Sequence, residues 1–376
     1  MTLERAYLDY NASAPLRPEA RAAMLAALEN CANPSSVHAE GRRARGIVEA
    51  ARDEVAALVN ARASEIVFTS GATEANNWAL AAGWQTIIAS GIEHDSVRAP
   101  AAASGARVIE IAATGDGVTT VAALASALPP AIDGSGRGLI SLQLANNETG
   151  VIQPVAETAV LARERGLLIH TDAVQAAGRI AVDFKGLGAD LMSLSAHKIG
   201  GPKGAGALAI RDGLSIRPLI TGGGQERRRR GGTENVAAIA GFGAAARAAA
   251  RDLAEMARIG ALRDALEAGV RRATPEVVVI GEKARRLPNT SCIAWPGRNA
   301  ETLVIKLDLA GIAVSAGAVC SSGKVGQSHV LTAMGLPPEI SRSAIRVSIG
   351  AGTTEKDIAA FLAAWMAIRG GAQIAA

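Results

Sequence analysis

The sequence predicts an α/β fold: a large, mainly parallel sheet domain covered by helices, followed by a smaller α+β C-terminal domain. Three observations carry this expectation. Short β-branched apolar runs alternate with alanine-rich helical patterns through the first two thirds of the chain, the order that builds parallel sheets. Those runs are continuous rather than alternating, as burial on both faces requires. After about residue 250 the texture changes to a charged amphipathic stretch, short strands and a Gly/Ser/Ala-rich loop.

Residues 65–70 (EIVFTS) form the first expected strand of the sheet, and Gly71 turns it into a helical stretch from Thr73. Strands follow at 85–90, 107–111, 138–144, 167–173 and 189–196, with helices such as 155–165 between them. In the C-terminal part a helix over 251–272 leads into strands around 277–280 and 289–295. A helix over 300–310, a small-residue loop, a strand over 344–349 and a final helix from Thr354 complete the chain. The expected division is an N-terminal segment, 1–15, joining the small domain; a large domain, 16–250; and a small domain, 251–376.

Composition narrows the function classes. With 376 residues, 49% of them hydrophobic and 20% charged, the chain has the profile of a globular protein rather than a disordered one. Its longest apolar stretches, near residues 236–246 and 358–368, fall short of the roughly 18 residues of a membrane span. The first residues, MTLERAYLDY, are charged and lack an apolar signal core, so secretion is not expected. Three cysteines, Cys31, Cys292 and Cys320, are odd in number and far apart. That is no disulfide framework, and a reducing cytoplasm is the expected compartment. The net charge of +4 does not call for a nucleic acid.

The chemistry-bearing residues cluster where strands end, which is where open α/β sheets place ligands. In Ser195-AHKIGGPKG-Gly204, Lys198 follows a strand and precedes a glycine-rich loop. Such a lysine can form a Schiff base with a carbonyl cofactor; alone it is an ordinary surface group. His170-TDAVQ-Gln175 ends another strand with Asp172, a carboxylate suited to a pyridinium nitrogen. A metal pair with His170 and a helix cap are the alternatives. Ser70-GATEAN-Asn76 offers helix N-terminal amides and the Thr73 hydroxyl to a phosphate, or is a plain N-cap. His94, in IEHDSV, can stack on an aromatic cofactor or shuttle a proton, and Asn147, in NNETG, can hold a carboxylate or a ring hydroxyl.

These blocks, in this order and with GGGQERRRRGGTEN after them, resemble the class-V aminotransferase family of pyridoxal-phosphate enzymes, and within it the cysteine desulfurases. The resemblance runs from Tyr7-LDYNASAP-Pro15 to Arg346-VSIG-Gly350. It implies a fold-type-I homodimer with a large seven-stranded-type sheet domain, with pyridoxal 5'-phosphate as cofactor. Lys198 is implied to hold the cofactor covalently, Asp172 to pair its ring nitrogen, Gln175 to bond its ring oxygen and His94 to stack on the ring. Ala72, Thr73, Ser195 and His197 are implied around the phosphate, with Thr233 reaching it from the other subunit. Asn11, Ala12, Asn147 and Arg346 are implied to hold the substrate, L-cysteine.

Cys320 lies in Ser315-AGAVCSSG-Gly323, a run of small residues with no large side chain to bury it. The family's loop-borne cysteine resembles it, which implies a nucleophile that takes sulfur as a persulfide and leaves alanine. Cys292, in an apolar strand, reads as a packing residue, and Cys31 carries no assigned role. The implied partner is an iron–sulfur scaffold or another sulfur acceptor. No permanent metal is expected, although Cys320 is a candidate transient cluster ligand. Another class-V enzyme, an aminotransferase or selenocysteine lyase without a protein persulfide, is the competing expectation. The run Arg227 to Arg230 is too short a footprint for nucleic acid and fits phosphate or substrate electrostatics at the dimer cleft better. In relatives glycine often stands at Arg228, and two threonines stand where this chain has Ser13 and Ala14.

Overall fold

The computed structural model describes residues 5–30, 32–128, 137–317 and 327–371. The chain opens with a short strand, β1 (Ala6–Tyr7). The main sheet then takes β2 (Ile66–Thr69), β3 (Thr86–Ser90), β4 (Arg107–Ile111) and β5 (Gly138–Ser141), followed by β6 (Leu168–Asp172), β7 (Leu191–Ser195) and β8 (Gly206–Ile210). Its seven strands lie in the order β2-β8-β7-β6-β5-β3-β4. Every pairing is parallel except the two that β8 makes. The carboxyl ends of β2, β3, β5, β6 and β7 therefore share one edge.

Each strand alternates its apolar side chains between two cores. Ile66, Ile88, Ile140 and Met192 face one; Val67, Ile87, Leu139 and Leu191 face the other. The helices divide accordingly. α1 (Pro18–Leu28), α2 (Ala39–Leu58), α5 (Val121–Ala127), α6 (Val155–Glu164) and α7 (Val236–Arg251) cover the first face; α3 (Ala72–Leu80) and α4 (Asp95–Ala103) cover the second. Helix α7 is alanine- and glycine-rich because it packs closely. A Cβ on Gly243 would come within 2.6 Å of the Ala51 Cα in α2.

The C-terminal part contains α8 (Met256–Ala273), β9 (Val278–Val279), β10 (Thr290–Ala294), α9 (Ala300–Leu309), β11 (Ile312–Ala313) and β12 (Ser315–Ala316). After them come α10 (His329–Ala333), α11 (Pro338–Ser341), β13 (Ala344–Ser348) and α12 (Glu355–Arg369). An antiparallel sheet, β12-β13-β10-β9, packs on the helices through a separate core in which Trp295 and Phe361 stack on Trp365. Strand β1 pairs with β11, and Ala6 and Leu8 join this separate core.

Three local expectations change. Strand β8 was not foreseen, since GALAI is a short run beside a glycine-rich loop. The helix expected over 251–272 is two: α7 ends at Arg251, and a 3-10 turn, Asp252–Glu255, precedes α8. There Asp252, a weak helix former, pairs with Arg17 at 2.6 Å. Ser315–Ala316, expected in the small-residue loop, forms β12 against β13. Among the described residues no helix is long and apolar enough to cross a membrane.

Candidate active site

A cavity of about 600 Å³ opens at the shared carboxyl edge of the sheet, within the usual range for a cofactor or small-ligand site. It sits where strand order reverses, since β3 is followed outward by β4 and then by β5 on its other side. At one wall is the N-terminus of α3. Its N-cap is Gly71, which makes no side-chain cap bond, so the first-turn amides are left for a ligand. Ala72 and Thr73 line the cavity there. Gly206 lets β8 run beneath this turn; a Cβ on it would lie 2.6 Å from the Gly71 Cα.

Lys198 ends a 3-10 turn (Ala196–Lys198) directly after β7. Its Nζ donates to the carbonyls of Asn11, at 2.5 Å, and Ala12, at 3.0 Å. The Asn11 side chain is committed to protein partners. Its Nδ2 donates to the Asn147 carbonyl and to Thr290 Oγ1, and its Oδ1 accepts from Asn289. Asn11 thus faces the lysine through its backbone, while Ala12 and Asn147 line the cavity.

A hydrogen-bonded chain joins Asp172 to His94. Asn76 Nδ2, inside α3, donates to Asp172 Oδ2 at 2.7 Å and to Ser96 Oγ at 2.9 Å. The Val174 amide donates to the other Asp172 oxygen. Ser96 Oγ and His94 Nδ1 are 2.8 Å apart, and the Ser96 amide donates to the same nitrogen at 3.0 Å. Because the Ser96 amide donates to Nδ1, that nitrogen is an acceptor, so the Ser96 hydroxyl donates to it as well and His94 is neutral with its proton on Nε2. Burial pushes the His94 pKa below 6.5; Asp172 opposes this and the Lys198 charge adds to it. Neither Asn76 nor Ser96 was singled out in the sequence. Asn76 lies one turn after Thr73 on the same helix face, and that spacing was the available signal.

Gln175 lines the cavity. Its Nε2 donates to the Asn11 carbonyl at 3.2 Å and its Oε1 accepts from Arg179. Ser195 and His197 line it too, with His197 Nδ1 3.2 Å from Ser13 Oγ. Burial and the charges of Lys198, Lys203 and Arg179 push the His197 pKa down to about 4. His170 is no metal ligand, because its two ring nitrogens bond Ser141 and Ser193 on the neighbouring strands.

Other expected site residues stand apart from this lining. Arg346 is buried on β13 and paired with Asp9 at 2.8 Å, and it donates to the Asn147 carbonyl at 3.2 Å. Its Nε–H has no partner among the described residues. Thr233 is exposed on the loop before α7. Cys320 and Cys31 lie outside the described residues, whereas Cys292 is fully buried, and burial raises its thiol pKa. Within the chain, members of the arginine run bond groups around the start of α3 and along α2. Arg230 pairs with Glu74 and Arg227 with Glu49, while Arg229 bonds the Ser64 carbonyl.

The comparisons with known proteins agree with this layout. A family model described as aminotransferase class-V matches residues 6–361. A cysteine desulfurase of Cereibacter sphaeroides is 44% identical, over 95% of this chain and 93% of its own. The cysteine desulfurase IscS of Dictyoglomus turgidum is 40% identical over 94% and 91%. The X-ray structure of a NifS-like protein from Rickettsia africae superposes with a TM-score of 0.90 at 34% identity, covering 98% of this chain and all of that one. A match of such length, on a fold that gathers a lysine, an aspartate and an uncapped helix at one sheet edge, has one reading: the chain belongs to the class-V aminotransferase family, whose members use pyridoxal phosphate.

Proposed function

We propose that this protein is a pyridoxal-phosphate-dependent cysteine desulfurase, which converts L-cysteine to L-alanine and retains the sulfur on Cys320. The observation that carries it is the convergence of Lys198, Asp172, Gln175 and His94 on one cavity with the uncapped start of α3. The cofactor suits these residues. The uncapped amides of α3, with the charges of Lys198, Lys203 and Arg179 that already depress His197, would hold its phosphate, since an anion offsets like positive charge. Asp172, fixed by two N–H donors, would hold its ring nitrogen. Desulfurases are among the relatives, and a structural neighbour, SspA, was solved in complex with cysteine at a TM-score of 0.79 and 29% identity.

When bound, the cofactor supplies an electron-withdrawing ring that acidifies the substrate Cα–H. Lys198 would anchor it, and once the substrate amine has displaced Nζ, that nitrogen, beside the Asn11 and Ala12 carbonyls, would be the base that moves the Cα proton. Asp172 holds the ring-nitrogen proton, Gln175 donates to the ring oxygen, and His94 covers the ring. Ala72, Thr73, Ser195 and His197 hold the phosphate, with Thr233 contributed by a second copy of the chain in a homodimer. Asn147 and Arg346 grip the substrate carboxylate, Arg346 from its place beside Asp9. Cys320 Sγ attacks the substrate sulfur: the carbon–sulfur bond breaks, a sulfur–sulfur bond forms, and the three-carbon remainder takes up a proton and leaves as alanine. An iron–sulfur scaffold or another thio-cofactor protein in the cytoplasm then accepts the sulfur. Cys320 belongs to a small domain, 251–376, beside the large domain, 16–250.

The test is the mass of the protein after incubation with L-cysteine in the absence of reductant. The expected result is one added sulfur on Cys320, absent from Cys320→Ala, together with free alanine. Alanine without the adduct would move the assignment to a lyase, and neither product would remove desulfurase activity altogether.

A further inference from the structure

Arg179 is a buried cation with no carboxylate beside it. It is 6% exposed, and among the described residues it makes no ion pair within 4.0 Å. Its partners are neutral oxygens. They are the backbone carbonyls of Gln175 at 2.8 Å, Tyr10 at 3.3 Å and Lys198 at 3.5 Å, and the side-chain carbonyl of Gln175. Burial, with the Arg346 charge adding to it, pushes its pKa down to about 9. Taking an unpaired charge out of water costs several kcal/mol, and neutral hydrogen bonds return only part of that. Such a group beside a site points to function rather than to stability.

What Arg179 decides is the orientation of one amide. Only an oxygen can face its Nη1–H donors, so the Gln175 side chain must present Oε1 to Arg179. Nε2 is then turned the other way. One of its hydrogens goes to the Asn11 carbonyl, and the second remains for an occupant of the cavity that Gln175 lines. We propose that Arg179 is a positioning residue that locks Gln175 as a hydrogen-bond donor toward the cofactor's ring oxygen. This rests on the cofactor reading above. A donor at that oxygen favours its anionic form and lowers the pH at which the absorption band of the bound cofactor titrates. An amide free to turn can offer its carbonyl instead, which disfavours the anion.

The test is a double-mutant cycle read by absorbance on the purified holoenzyme without substrate. The band is titrated in wild type, Arg179→Met, Gln175→Ala and the double variant. The expected result is an upward shift of about one pH unit for Arg179→Met, largely absent when Gln175 is already alanine. An equal shift in both backgrounds would mean that Arg179 acts by its charge alone and would overturn the proposal. So would an unchanged band with a higher KM for cysteine, which makes Arg179 a substrate ligand. Should the methionine variant fail to fold, Arg179→Gln removes the donor-only cation and puts there an amide that can itself turn, so it should show the same Gln175-dependent shift. A wild-type protein with no band dependent on Lys198 overturns the cofactor reading and this proposal together. A normal wild-type band without a Gln175-dependent shift overturns this proposal alone.

Discussion

Asn76 donates to Asp172 at 2.7 Å from inside α3, so the helix whose uncapped first turn lines the cavity also fixes the Asp172 carboxylate across it. The two ends of the cavity are therefore held by one rigid element. Removing the amide leaves Asp172 one N–H donor, from Val174. A hydrogen bond to a charged group contributes about 1.5–3 kcal/mol. Asn76→Ala is expected to lower kcat/KM for cysteine roughly ten- to a hundredfold and to weaken cofactor retention on dialysis. Full activity would show that Asp172 needs no support from α3.

Ser96, bonded to that amide, sets the proton on His94. Ser96 Oγ, an acceptor from Asn76, passes its own hydrogen to His94 Nδ1, which stabilises the neutral ring. Ser96→Ala removes that bond and leaves the Ser96 amide as the sole donor to Nδ1. Because His94 sits below 6.5, loss of a bond to its neutral form moves its pKa up. The acid limb of the pH–kcat/KM profile is expected to shift upward by up to about one unit. An unmoved acid limb would assign it to another group.

The strand-end residues were legible because topology alone brings them together. Lys198, Asp172, His94 and Asn147 each follow a parallel strand, and parallel strands deliver their carboxyl ends to one edge. Asn76, Ser96 and Arg179 were not legible. Their roles depend on which side chain of one element meets which atom of another, and a sequence states neither. Arg346 shows the same limit from the other side: its position on a strand was readable, its pairing with Asp9, 337 residues away, was not. The charge of the arginine run was readable, while its pairing of Arg227 with Glu49 and of Arg230 with Glu74 was not.

Glu148 gives the stability of the fold a pH dependence. It is buried, its Oε2 accepts from Ser328 Oγ at 2.6 Å, and burial raises its pKa from 4.5 to about 7. A raised pKa means the folded state holds this proton more tightly than the unfolded chain. The contribution is complete below about pH 4.5 and is lost as pH rises through about 7. Glu148→Gln keeps an acceptor for Ser328 and cannot titrate. Relative to wild type, its stability should gain about 3 kcal/mol between those limits and no more above them. Thermal melts of both proteins across pH 4.5–8.5 measure this, and a Tm difference independent of pH would rule it out.

Arg228 stands in a left-handed turn that a different residue maintains. Glu226, Arg227 and Arg228 have φ of 44°, 56° and 66°, a conformation that costs an L-residue about 1–2 kcal/mol each. Glu226 anchors it: its buried carboxylate accepts from Arg52 at 2.7 and 2.9 Å and from the Phe68 amide at 2.9 Å. Arg228 is exposed, so its side chain can go while the anchor stays. Glycine meets no penalty at that φ but adds about 0.5–1 kcal/mol of unfolded-state entropy. The balance favours Arg228→Gly by up to about 1 kcal/mol, a Tm rise of roughly 1–3 °C for a chain of this size. Glu226→Ala leaves Arg52 with Glu49 as its remaining carboxylate partner and should cost about 2–3 kcal/mol. Equal destabilisation by both substitutions would show that the turn is held by Arg228 itself rather than by the buried Glu226–Arg52 pair.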